Sequence, residues 1–263
     1  MISLDPTLSA VYGEQAEGRP QAPIAIPRQR RVFSRQVRLP QGPSLAAQHL
    51  DADLPIVGPA GNLSWSYRVT KRLLDVAGAL VLIVLLSPIL LVTFLVLCIT
   101  TKGKPFFVQQ RIGYLGRKFP MIKFRTMRLD ADRLQSLVQN EHTQGPIFKN
   151  RRDPRVTRVG RWLRRTSIDE MPQLFNVLAG HMSLVGPRPP VEKEVRLYEA
   201  WHRRRLAVQP GLTCLWQVSG RSDIGFEDWV RMDIWYTKNQ SLGTDLKLLV
   251  KTPWCVVTCR GAY

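Results

Sequence analysis

The chain has 263 residues, enough for one large domain or two small ones, and with 44% of them hydrophobic it can build a core. A net charge of +18 points to partners that carry negative charge: nucleic acid, anionic lipid or phosphorylated substrates. The four cysteines, Cys98, Cys214, Cys255 and Cys259, contain no CxxC pair, so neither a disulfide framework nor a zinc site is expected. No secretory signal is expected either, because the first strongly apolar run starts only after residue 72.

Residues 1–65 hold eight of the 19 prolines, no lysine and no helical or strand periodicity. Within them, RQRRVFSRQVR concentrates five arginines (Arg28, Arg30, Arg31, Arg35 and Arg38) without an acid. This composition predicts a disordered or extended arm. Its role is either a solvated linker or an electrostatic contact to anionic membrane lipids, at about 1 kcal/mol per basic residue near the surface.

From Val76 to Thr101 there are 26 residues without a charged side chain. That exceeds the roughly 20 needed to cross a hydrocarbon core, so membrane insertion is predicted over 66–104. Pro88 removes a backbone donor in mid-run and predicts a kink or break, with Ser87 placed to satisfy a freed backbone group. Lys71 and Arg72 precede the run and Lys102 and Lys104 follow it, so the positive-inside bias pulls both ends to the cytoplasm. A hairpin on one face satisfies that pull, and a straight span remains the alternative. Asp75 is expected at the membrane interface beside Lys71 or Arg72, because a carboxylate at the bilayer centre costs about 2.5–3.5 kcal/mol.

Residues 105–263 read as the cytoplasmic domain. Two β-prone runs, Phe106–Ile112 and Phe119–Thr126, flank Gly113 and Gly116 and predict a hairpin. A polar helix is expected near 129–140. The tract KNRRDPRVTRVGRWLRR then carries eight Arg or Lys and one Asp in 17 positions. Arg155, Arg158, Arg161 and Arg165 alternate at helical spacing with Val156, Val159, Trp162 and Leu163, which predicts an amphipathic helix with a cationic face. A charged helix is expected over Val191–Leu206. Trp229, Trp235, Tyr236 and Trp254 belong either to a core or to an interfacial belt. His142, His181 and His202 are scattered and receive no ligand role, and Gly113 with Gly116 does not make a phosphate loop.

The stretch TSIDEMPQL, residues 166–174, joins the Arg-rich tract to an apolar helix. Ser167 and Glu170 match a capping box, and Asp169 is a good N-cap with Pro172 in the first turn. The same residues suit phosphate chemistry. A helix start favours anions, Arg164 and Arg165 lie just upstream, and Gly186-Pro187-Arg188-Pro189-Pro190 adds a rigid loop with a guanidinium. In such a frame one carboxylate can attack phosphorus while the other holds a divalent ion, Mg²⁺ by its preference for hard oxygen ligands.

Five motifs in series, Lys71-Arg72…Asp75, Ser87-Pro88, Lys123-Phe124-Arg125-Thr126-Met127, Thr166–Leu174 and Gly186-Pro187-Arg188-Pro189, resemble the bacterial sugar transferases known as monotopic polyprenyl-phosphate phosphoglycosyl transferases. The likeness covers about residues 66–263. The ending, from GLTCLWQVSGRSD to RGAY, is similar to the branch that initiates exopolysaccharide and O-antigen synthesis.

That resemblance implies an α+β, mainly helical fold, anchored by a re-entrant helix-break-helix at Ser87-Pro88, amphipathic interfacial helices and a small β-hairpin. It implies a transferase on the cytoplasmic face of the bacterial inner membrane. Glucose- or galactose-1-phosphate would pass from a UDP-sugar to undecaprenyl phosphate, releasing UMP. Asp169 would be the nucleophile and carry a phosphosugar intermediate, and Glu170 would bind Mg²⁺. Arg164, Lys123, Arg125 and the Pro187, Arg188 and Pro189 loop would bind substrate, with Asp233 and Tyr236 in a nucleotide or sugar pocket. A homodimer is left open. No nucleic-acid partner is expected, since no recognised DNA- or RNA-binding signature is present. The alternative is a non-catalytic membrane scaffold of a polysaccharide assembly complex.

Overall fold

The computed structural model describes residues 63–141, 145–146, 150, 152–219 and 224–257. The expected arm, apart from residues 63–65, lies outside them, as do Cys259, His142, residues 220–223 and the terminal RGAY.

The apolar run forms one helix, α1 (Trp65–Thr100), of 36 residues and about 54 Å. Ser64 caps it by accepting from the Tyr67 N–H at 3.2 Å. Pro88 has no N–H for the carbonyl of Val84, four residues back, and Ser87 Oγ donates to that oxygen instead at 2.8 Å. The helical backbone therefore continues through the proline, so one uninterrupted helix stands where a helix-break-helix was expected. Of its most apolar 18 residues only 11% are buried against the protein. Exposing large apolar side chains costs about 1.5–3 kcal/mol each, so this surface calls for an apolar cover.

The polar residues that open α1 dock it. Arg72 donates to the last carbonyls of α3 (Gln173–Leu178), Val177 at 2.6 Å and Leu178 at 2.8 Å, a cation placed at a helix C-terminus. Lys71 pairs with Asp245 at 2.8 Å. Asp75 is buried in the protein, where it accepts from the Leu184 N–H at 3.0 Å and feels the charge of Lys71. The far end of α1 packs too, with Leu97 buried against Phe124 and Leu163.

Strands β1 (Phe106–Ile112) and β2 (Lys118–Phe124) form the expected antiparallel hairpin, in register from Phe106↔Phe124 to Ile112↔Lys118. A second pair, β3 (Ser183–Val185) and β4 (Gly211–Thr213), is parallel. The main core joins Ala79 of α1 to Leu174, Val177, Met182, Leu184 and Tyr236. A second core forms around Tyr198, Trp216, Phe226 and Trp229.

The remaining helices are α2 (Arg158–Thr166), α4 (Glu192–Arg196), α5 (Leu215–Ser219), α6 (Phe226–Lys238) and α7 (Leu242–Val257). Residues 129–140 are turns with one short 3-10 segment, Gln135–Leu137, instead of a helix. The helix expected over 191–206 is split into α4 and a 3-10 segment, His202–Ala207. Arg155 does not join the cationic face of α2: it is buried and paired with Asp153 at 2.6 Å. Of the aromatics, Trp229 and Tyr236 belong to the core, while Trp254 is 73% exposed. On α7, Leu246, Val250 and Trp254 recur at helical spacing and are all exposed, an apolar stripe.

Candidate active site

The site is assembled on the segment that follows β2. The Thr126 carbonyl accepts from the Thr157 N–H at 3.0 Å, and the Thr126 hydroxyl accepts from Arg164 Nε at 3.0 Å. Gly160 sits so close that a Cβ there would lie 1.9 Å from the Thr126 oxygen, so α2 reaches its seat only without a side chain at that point. Thr157 caps α2 by accepting from the Gly160 N–H at 2.9 Å.

α2 ends at Ser167, which turns into the left-handed region at φ 57°, ψ 14°. A 3-10 turn, Ile168–Glu170, follows, and α3 begins after Pro172. This geometry corrects the capping reading. Neither Ser167 nor Asp169 caps through its side chain, and Glu170 turns to Lys123 of β2 at 2.6 Å.

Asp169 is 8% exposed. Burial, and then the neighbouring Glu170 charge, raise its carboxyl well above the usual carboxylate range, against the pull of Lys123 and Arg164. For Glu170, burial raises the carboxyl but Lys123 and Arg188 outweigh it, and the group stays below its usual range. The two adjacent acids are thus pushed apart, a pattern that occurs where carboxylates take different chemical roles.

The loop after β3 is held by all four of its carbonyls. Pro187 accepts from the Gly211 N–H at 2.9 Å, Arg188 from Arg205 at 3.0 Å, Pro189 from Arg111 at 3.0 Å, and Pro190 from the Ile112 N–H at 2.9 Å. Prolines have no N–H, so carbonyls are the handles by which such a loop can be fixed. The result is a rigidly mounted Arg188, half-buried, whose charge reaches Glu170.

Arg205 is the pillar beneath this loop. It is 1% exposed, lies 2.5 Å from Asp233 of α6, donates to the Tyr198 hydroxyl at 2.8 Å, and packs 5.1 Å from the Trp229 ring centre. Burial pushes the Asp233 carboxyl up to about 6, with Arg205 pulling against it. Sequence reasoning missed both Arg205 and Arg111, because no spacing rule marks which arginine in a basic chain turns inward.

Of the residues expected at the site, Asp169, Glu170, Lys123, Arg164 and Arg188 are brought together. Arg125 is turned elsewhere: its guanidinium donates to the carbonyls of Lys104 at 2.8 Å and Phe106 at 2.9 Å, bracing the turn from α1 into β1. Asp233 and Tyr236 are engaged internally, Asp233 by Arg205 and Tyr236 by donation to Asp245 at 2.6 Å. Ser87 and Pro88 belong to α1.

Among the described residues no three His, Cys, Asp or Glu side chains converge. Asp169 and Glu170 supply hard oxygen atoms, and Mg²⁺ is commonly held by one or two carboxylates completed by waters and substrate phosphates. The residues present therefore fit that ion as a site shared with substrate.

A family model described as bacterial sugar transferase matches residues 66–259. The galactosyl transferase CpsE of Streptococcus agalactiae is 42% identical over 202 residues, covering 75% of this chain and 44% of that protein. The undecaprenyl-phosphate galactose phosphotransferase of Salmonella typhimurium is 41% identical over 208 residues, covering 75% of this chain and 42% of that protein. The exopolysaccharide production protein ExoY of Rhizobium meliloti is 40% identical, with 74% and 88% covered. The chain thus spans less than half the length of the first two relatives and most of the third. The match takes in α1, the Thr126 seat, the paired carboxylates and the Pro187–Pro190 loop, and the chain belongs to the bacterial sugar transferase family.

Proposed function

We propose that this chain is a membrane-bound phosphoglycosyl transferase. It moves a sugar-1-phosphate, of glucose or galactose, from a UDP-sugar to undecaprenyl phosphate and releases UMP, as the first step of exopolysaccharide, O-antigen or capsule synthesis. The observation that carries the reading is Asp169, a buried carboxylate with a raised pKa, beside an acid of lowered pKa and within a frame of Lys123, Arg164 and Arg188. Poor solvation makes such a carboxylate a better nucleophile once ionised, and the cations offset the charge that gathers as two anions meet.

In the first step an Asp169 carboxylate oxygen bonds to the β-phosphorus, and the bond from that phosphorus to the bridging oxygen breaks. UMP leaves with the electron pair. In the second step a phosphate oxygen of the acceptor attacks the same phosphorus, the aspartyl bond breaks, and the carboxylate is regenerated with the diphosphate-linked sugar as product. Arg164 and Arg188 bind phosphate oxygens, and Lys123 holds Glu170 ionised. Glu170 would hold Mg²⁺, which supplies neutralisation of phosphate charge when bound.

The attachment is re-entrant, on the cytoplasmic face of the inner membrane. Its support is that both ends of α1 contact the same domain, through Arg72 and Asp75 at one end and Leu97 at the other. The apolar stripe of α7 and the half-exposed Trp162 of α2 suit an interfacial setting. The name of the Salmonella relative supports the lipid acceptor.

The test uses full-length protein in lipid nanodiscs. Asp169→Asn is expected to abolish UMP release from UDP-sugar, and mass spectrometry of wild type given donor alone is expected to find a sugar-phosphate adduct on Asp169. Normal turnover by Asp169→Asn overturns the assignment.

A further inference from the structure

The second half of α1 and α2 enclose an apolar groove of about 410 Å³, walled by Pro88, Val92 and Val96 on one side and Val159, Trp162 and Leu163 on the other. Its lining offers almost no polar surface, so it suits neither nucleotide nor sugar, and an apolar cavity does not hold ordered water. We infer that this groove seats the isoprenoid tail of the lipid acceptor, in the units nearest its phosphate. The inference rests on the transfer reading above.

Three observations select that occupant. The first is position: Leu163, in the groove wall and 1% exposed, packs in one cluster with Leu97, Phe124 and Ile168, and Ile168 is the residue before Asp169. The buried apolar cluster behind that wall therefore extends to the residue that precedes Asp169 in the chain. The second is charge. The same helix that forms one wall carries Arg161 and Arg165 on its exposed side, while Arg164, fixed on Thr126, acts on Asp169. A tail in the groove leaves its anionic head at the cationic end of α2. A phospholipid acyl chain fits the walls equally well but has no phosphate that must reach Asp169.

The third observation is size. A cavity of about 150 Å³ takes one benzene, so about 410 Å³ holds on the order of two to three five-carbon units. The rest of the tail stays in the bilayer. Acceptor chain length is then expected to matter over roughly the first three units and little beyond.

The experiment uses the full chain in nanodiscs and has two arms. In the first, Val159→Trp fills the groove; KM for undecaprenyl phosphate is expected to rise at least tenfold while KM for UDP-sugar moves less than twofold. An unchanged acceptor KM overturns the inference. The second arm needs no variant. A prenyl phosphate with a diazirine on its second isoprene unit is expected to label residues 158–164 of wild type. Undecaprenyl phosphate should displace it, and phosphatidylglycerol at the same mole fraction should not. Labelling elsewhere, or equal displacement by the phospholipid, overturns the inference even if the variant misfolds. UMP release is followed in parallel: its absence from wild type sinks the transfer reading, whereas normal release with labelling elsewhere sinks only the groove.

Discussion

Asp169 and Glu170 are neighbours in the chain with opposite pKa shifts, and the difference lies in their partners. Lys123 bonds Glu170 directly, while Asp169 is buried beside that retained negative charge. An aspartate titrates at about 3.9 when unperturbed. In the proposed mechanism Asp169 attacks as the carboxylate, and its pKa is raised, so kcat/KM for UMP release is expected to fall on the acid side well above pH 4. The sign for stability is the reverse of the usual case: ionising Asp169 costs the folded state, and that cost grows as pH rises from the unfolded pKa towards the folded one. Lys123 lowers both carboxyls, so Lys123→Met is expected to move the acid limb to higher pH, read from the pH profile of kcat/KM. A limb that stays in place means that Lys123 does not set this ionisation.

At the scale of elements, α2 is positioned by backbone contact more than by side chains. Gly160→Ala forces a Cβ into the Thr126 carbonyl, a backbone atom that cannot swing aside. Overpacking of this kind costs about 1–3 kcal/mol, and a domain of this size loses about 2–4 °C in Tm per kcal/mol. Gly160→Ala is therefore expected to lower Tm by several degrees and to reduce UMP release, since Arg164 moves with the helix. A variant with wild-type Tm and turnover contradicts this account. The hairpin and α2 were legible because alternation and helical spacing are local properties. The helix expected near 129–140 was not formed: although Ala131 and Val138 are buried, Leu129 and Leu137 are exposed, and so short a polar segment makes a marginal helix. The helix expected over 191–206 breaks where Tyr198 and Arg205 turn into the core, a tertiary demand that local propensity does not register.

At the scale of the whole molecule, α1 is both a long, largely exposed apolar helix and part of the fold. Its opening turns bond α3 and β3 through Arg72 and Asp75, and its last turns pack on β2 and α2 through Leu97. One domain holding both ends predicts that cysteines introduced at positions 68 and 104 react with the same membrane-impermeant reagent from the same side. Labelling from opposite sides would require a straight span and would detach one end of α1 from the domain.

The sequence by itself determined the apolar run, the cationic balance, the hairpin, the basic helix and the pairing of Asp169 with Glu170, because composition and periodicity are written along the chain. Only the tertiary structure decided which charges serve the site. Lys71, Arg72 and Asp75 resembled membrane-flanking charges and became docking groups; Arg125 went to backbone carbonyls; Arg205, unmarked in the chain, came to hold the Pro187–Pro190 loop. The physical reason is that an arginine's role follows from which acceptors lie within reach of its guanidinium, and those acceptors come from segments far away in the chain.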